Sequence, residues 1–246
     1  MYKYHLKIEY DGSNFVGWQY QKNGLSIQEI LEKVLRKFLR EKINVIGSGR
    51  TDAGVHAIEQ SAHIETKNKI EKKKFLAAIN HYLFKQHVSL LDIKERDKKF
   101  HARFSAKKRT YKYLIVNRIS PLALNPNRAW HVKKKLDYKL MKKSLKFLKG
   151  THDFSTFRAS SCEAKSPIRT IKNVKLNKKK DTIEIVFTSK SFLQNQVRSM
   201  VGAIKYVGEK KWPLSLFKKN FKSKKRSNCA PPAPAHGLYL QKVEYK

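Results

Sequence analysis

Two cysteines stand in 246 residues, Cys162 and Cys229, far apart and in no C-x-x-C pair. That spacing excludes a zinc knuckle and a disulfide framework. Acidic residues are scarce as well: 19 Asp and Glu face 55 Lys and Arg, a formal charge of +36. So few carboxylates count against chemistry that needs them in pairs, such as general acid–base cleavage of a glycosidic bond. No apolar run reaches the length that spans a bilayer, and the start, Met1-Tyr2-Lys3-Tyr4-His5, is no secretory signal. A soluble cytoplasmic protein is the plain expectation. Arginine is thin too, 12 residues against 43 lysines. Lysine is therefore the default surface cation, and each arginine is the more informative, because its planar fork makes bidentate contacts that lysine cannot.

The positive excess would repel itself unless a polyanion shares it. Nucleic acid is the natural partner, since each neutralised phosphate releases counterions. A membrane-surface protein would need a basic amphipathic segment with a broad apolar face, and none is left over once the core is assigned. Lysine runs at 133–135, 178–180 and 218–226 read as a diffuse phosphate-attracting field.

Along the chain, Tyr4, Leu6, Ile8 and Tyr10 alternate with polar residues and predict a strand. Ser26 and Glu29 form a capping box, and Ile27, Ile30, Leu31, Val34, Leu35, Phe38 and Leu39 keep helical spacing behind it. The apolar run 43–46 predicts a buried strand, 59–66 another, Phe75 to Leu83 a second helix and 88–96 a fourth strand. The order is β-α-β-β-α-β, the ferredoxin-like arrangement. The second half repeats it. A strand at 109–116 looks buried on both faces, and Asp137 caps a helix carrying Leu140, Met141, Leu145 and Leu148. A hairpin at 170–176 and 182–188, a helix from Val197 to Val207, a shorter one after Pro213 and a last strand at 237–243 follow. The expected fold is α+β: two fused ferredoxin-like (RRM-like) halves, 1–104 and 105–246, forming one extended antiparallel-rich sheet with helices behind and a basic cleft in front. The segments 122–131 and 151–166 are long, polar and dotted with arginine, as functional loops are. The segment 227–236, with three prolines, reads as a stiff connector.

The stretch from Gly47 to His56 organises the rest. Three glycines let the backbone turn sharply and let a ligand approach. It is not a dinucleotide fingerprint, because Asp52 stands where the third glycine belongs. Nor is it a phosphate loop, because Val55 and His56 follow Gly54 where Lys and Ser or Thr are required. Asp52 is its one carboxylate, two residues after Arg50. Such a loop is either a structural turn in which Asp52 bonds nearby N–H groups or a site for chemistry. His56, His63 and His152 have no metal-ligand spacing and read as core or loop residues.

Gly49 to Ala57, G-R-T-D-A-G-V-H-A, resembles the active-site signature of the tRNA pseudouridine synthase A (TruA) family. Further stretches are similar in register: Phe100 to Ala106 leading into Arg109 to Tyr113, His152 to Arg158 with Arg169 to Ile171, Phe192 to Gly202, and Ala233 to Leu240. Tyr10-Asp11-Gly12-Ser13 and Gly17-Trp18-Gln19 fit the N-terminus. The resemblance runs almost end to end, with one small departure: the family usually shows Leu-Pro after Asn80, and here Phe84 follows Leu83. It implies isomerisation of uridine to pseudouridine at tRNA positions 38, 39 and 40, in the anticodon stem-loop. It makes Asp52 the nucleophile, Arg198 its cationic partner and Tyr111 the ring that stacks on the base and assists proton removal from C5. Arg50, Thr51, Arg158 and Arg169 would bind substrate, the arginines through phosphate or by bracing a loop. The resemblance also implies a homodimer with tRNA lying across both subunits, and neither metal nor small-molecule cofactor.

On the residues alone, Tyr111 is better read as a core aromatic in a strand, a reading that only the resemblance reverses, and Arg158 fits a solvated surface cation. Two rival functions remain. A non-catalytic RNA-binding protein built on two RRM-like sheets should carry an RNP1 strand, and neither half has one. A nucleoside glycosidic-bond hydrolase should carry paired carboxylates, and the loop offers one.

Overall fold

The computed structural model describes residues Met1–Lys246. The chain divides into two compact units. The first is Met1–Arg109 with Tyr239–Lys246, and the second is Thr110–Leu238. The first carries β1 (Tyr2–Tyr10), α1 (Ile27–Leu39), β2 (Ile46–Gly47), β3 (His56–Thr66), α2 (Lys72–Leu83) and β4 (Val88–Arg96). β5 (Lys108–Asn117) leads into the second, which holds β6 (Trp130–Val132), α3 (Tyr138–Leu145), β7 (Gly150–Asp153), β8 (Ile168–Lys179), β9 (Thr182–Ser189), α4 (Gln196–Gly208) and α5 (Leu214–Lys222). β10 (Leu238–Glu244) returns to the first. The halves 1–104 and 105–246 follow order along the chain. The compact units follow contact, which assigns most of β10 to the first.

The fold is α+β with mostly antiparallel pairing. In the first unit the strands lie in the order β4-β1-β3-β10, with β2 also beside β3. The sequence β4-β1-β3-β2 with two helices is the ferredoxin-like arrangement. β1 pairs antiparallel with both neighbours, Leu6 opposite Ala62 and Ile93. β10 runs parallel to β3 through Tyr239↔His56 and Leu240↔Ala57. The C-terminal end is anchored in the same unit: the Tyr245 hydroxyl donates to the Ala102 carbonyl at 3.0 Å, and its ring packs on Phe100 at 5.0 Å. In the second unit the order is β5-β9-β8-β7, with β6 parallel to β5.

Local chemistry explains the elements. Ser26 caps α1, its Oγ accepting from Glu29 N at 3.2 Å, and Ile27, Ile30, Leu31 and Leu35 are buried along one stripe. Asp137 caps α3 in the same way through Leu140 N. The strand expected at 43–46 is corrected: only Ile46 and Gly47 pair, with His63 and Ala62. Ile43 and Val45 are buried as foreseen, but Val45 N–H donates to the Glu32 carboxylate instead of to a strand. β5 is also less enclosed than expected. Tyr111, Tyr113, Ile115 and Val116 are buried, while Thr110, Lys112 and Leu114 are half-buried. No helix is long and apolar enough to cross a membrane.

Candidate active site

The loop between β2 and β3 is held by backbone bonds from several directions. On one side Ser48 N donates to Ser61 O at 2.7 Å, Ser48 Oγ to Gln60 Oε1 at 2.8 Å, and Gln60 Nε2 to Gly49 O at 3.1 Å. On the other, residues 15–18 lie against it. Trp18 N donates to Thr51 O at 3.1 Å, Gly54 N donates to Phe15 O at 3.3 Å, and Gly17 bridges to Asp52 in antiparallel fashion. Gly17 is required twice over. Its φ is +115, and an added Cβ would stand 2.6 Å from Thr51 O. Tyr10 OH and Thr51 Oγ1 meet at 2.9 Å, and Thr51 is buried. From below, Arg109 Nη2 donates to Ser48 O at 2.5 Å and to Arg103 O at 3.0 Å. Asp52 itself is half-buried and Arg50 exposed. The loop ends on His56, whose buried ring stacks on Tyr239 at 4.8 Å.

Two more histidines lie inside this unit. His5 and His63 face each other across β1 and β3. Burial drives both rings down to about 4, aided by Arg96 at His5 and by His101 at His63. They are neutral core residues, with His5 Nε2 3.0 Å from Ser61 Oγ and Ala102 N donating to His63 Nδ1 at 3.2 Å. No three His, Cys, Asp or Glu side chains are grouped so as to hold a metal ion.

The other site candidates belong to the second unit. Tyr111 lies on β5, largely buried, its ring edge-to-face with Phe192 at 5.2 Å and 86°. Arg198 lies in the first turn of α4 and is half-buried. Its Nε donates to Ala233 O at 2.8 Å and its Nη1 to Asn195 Oδ1 at 3.0 Å. Arg158 Nη2 donates to the Cys162 carbonyl. Arg169 Nη1 donates to Ser166 O at 2.8 Å and Ile168 O at 2.6 Å. Both arginines therefore brace the segment 159–168. Arg158 is half-buried and tied to the backbone, so it is not a solvated cation. Tyr113, two residues beyond Tyr111, donates its hydroxyl to Pro234 O at 2.8 Å, and burial pushes its ionisation up.

Thus Arg50, Thr51 and Asp52 share one unit, and Tyr111, Arg158, Arg169 and Arg198 share the other. Sequence reasoning assigned no role to Arg109, Gln60 or Asn195. Arginine scarcity was a usable signal for Arg109, which stands two residues before Tyr111. Asn195 lies within the matching stretch Phe192 to Gly202, but no signal gave it a role, and nothing marked Gln60; the partners of both are fixed only by the fold.

Comparison with known proteins adds to this geometry. The sequence profile of the tRNA pseudouridine synthase family matches residues 7–105 and 145–246. The chain is 59% identical over 246 residues to tRNA pseudouridine synthase A of Pelagibacter ubique, with the whole of both chains covered. It is 44% identical over 246 residues to tRNA pseudouridine synthase A of Parvibaculum lavamentivorans, again across both chains. Identity to the protein of the same name from Ehrlichia canis is 45% over 244 residues, 99% of this chain and all of that one.

Proposed function

Because the chain belongs to the tRNA pseudouridine synthase family, a family of isomerases, we propose that it converts uridine to pseudouridine at positions 38, 39 and 40 in the anticodon stem-loop of tRNA, with Asp52 as nucleophile. The supporting observation is the Gly49 to Ala57 signature, carried on a loop whose backbone is tied down on both sides of its single carboxylate. In the reaction the uracil N1–C1′ bond breaks, the base turns, and a C5–C1′ bond forms. The hydrogen on C5 leaves as a proton, and N1 gains one.

Asp52 suits the part of nucleophile. A carboxylate is ionised at neutral pH and small enough for a nucleoside pocket. Arg198 supplies the cation that keeps it charged. Tyr111 stacks on the base and assists removal of the C5 proton. Arg50, Thr51, Arg158 and Arg169 hold the substrate, Arg50 through phosphate, Arg158 and Arg169 by shaping the 159–168 segment they brace. The enzyme works in the cytoplasm as a homodimer with tRNA across both subunits, and it uses neither metal nor small-molecule cofactor.

Tritium release tests the proposal. With tRNA tritiated at uridine C5, forming the new carbon–carbon bond expels the label, whereas binding or base hydrolysis leaves it in place. Wild type is expected to release tritium and Asp52→Asn to release none while still binding tRNA. No release by wild type, with tight tRNA binding intact, would point instead to a non-catalytic RNA-binding protein. Release by Asp52→Asn would remove the nucleophile assignment.

A further inference from the structure

We infer that Asn195 is a positioning residue for Arg198, an inference that rests on the role given above to that arginine. Asn195 immediately precedes α4 and so occupies its N-cap. An asparagine there ordinarily has extended backbone and spends its side-chain oxygen on an N–H of the first helical turn. Asn195 does neither. Its backbone is left-handed, φ 60 and ψ 1, and its side chain makes no cap bond. The first turn is closed by the main chain instead, Ser199 N donating to Asn195 O at 2.9 Å. The freed oxygen, Oδ1, accepts from Arg198 Nη1 at 3.0 Å.

A second acceptor adds to the hold. Arg198 Nε donates to Ala233 O at 2.8 Å, and Ala233 N donates back to Arg198 O at 3.0 Å. That segment lies hard against α4, because a Cβ on Gly202 would stand 2.0 Å from Pro231 O. A guanidinium is planar. Fixing Nε and one Nη therefore fixes the plane, and with it the direction of every other N–H on the group. The Ala233 bond holds the group at Nε and the Asn195 bond holds it at Nη1. Loss of the second hold loosens the plane, and misplacement of a catalytic group by about 1 Å can cost two orders of magnitude in rate.

Two variants separate the backbone from the oxygen. Glycine accepts a left-handed backbone without strain, so Asn195→Gly removes only the side chain. Asn195→Ala removes the side chain and adds strain. Both are expected to slow single-turnover pseudouridine formation at saturating enzyme by at least about tenfold, with the tRNA Kd held within about twofold. Only the alanine variant should melt at a lower temperature than wild type. An Asn195→Gly enzyme with the wild-type rate overturns the inference, since the residue then serves only the turn. A glycine variant that loses rate and melting temperature together, as alanine does, overturns it as well. Arg198→Ala distinguishes the two levels. If it turns over at the wild-type rate, the role of Arg198 fails; if it is inactive while Asn195→Gly is fully active, only the positioning inference fails.

Discussion

Asp52 and Arg198 are mounted in opposite ways. Asp52 sits on an irregular loop whose main chain is bonded on both sides, through Thr51 O, Gly49 O and Ser48 O. Arg198 sits on a regular helix, where its backbone needs no special care, and it is gripped near the tip by Asn195 Oδ1 and Ala233 O. The difference follows from side-chain length. An aspartate has two torsions, so a fixed backbone nearly fixes the carboxylate. An arginine has four or more and carries a large rotamer entropy, so a fixed backbone settles little and the guanidinium itself must be held.

Three substitutions test this contrast. Asp52→Asn keeps the mount and removes only the charge. Turnover should fall by at least about a thousandfold, read by tritium release, while tRNA binding and melting temperature stay near wild type. Arg198→Ala removes the held group and leaves the Ala233 and Asn195 acceptors without their donor. Activity should drop about a hundredfold, and the melting temperature by about 4 °C or more. Gly17→Ala attacks the loop from behind, at a φ that alanine resists and against Thr51 O. It should cost about tenfold in rate and roughly 4 °C in thermal melting. Equal effects from Gly17→Ala and from a neutral change in the first turn of α4 would sink the distinction between backbone and tip.

Acid gives the smallest effect and sharpens the contrast between the units. His5 and His63 have folded-state values of about 4 against 6.5 for the free ring. Between those limits the unfolded chain binds more protons than the native one. Their contribution is therefore complete above about 6.5 and is lost as pH falls towards 4. Charging both would also place two cations opposite one another across β1 and β3. The melting temperature should drop by a few degrees from pH 7 to pH 5, and hydrogen exchange should loosen β1 and β3 before β8 and β9.

Much of this was readable from the residues. The stripe of α1 and its Ser26 cap, the alternation of β1 and the bounds of β4 are local patterns, and the fold keeps them. The run 43–46 shows where such patterns stop. Apolar spacing placed Ile43 and Val45 inside, but whether a backbone finds a ladder partner depends on a neighbour elsewhere in the chain. β6 and β7 went unseen for a related reason: each is short, polar or mixed, and paired on one side, at β5 and β8. The Asp52 loop announced itself through glycine and a lone carboxylate. Its supports were harder to see, because Gln60 and Arg109 act on carbonyl oxygens, and a carbonyl has no letter in the sequence; only the scarcity of arginine pointed to Arg109.

The return of β10 has a consequence for how the protein comes into being. Residues 1–109 of the first unit leave the ribosome early, but 239–246 leave only after the whole of the second unit has been made. Until then β3 lacks its parallel neighbour at His56, the residue on which the Asp52 loop ends, and the ring of Tyr239 is absent from it. Domains ordinarily fold in order of synthesis. Here the unit begun first is finished last: the strand that pairs with β3 at His56 and Ala57 reaches it only after the second unit has been made.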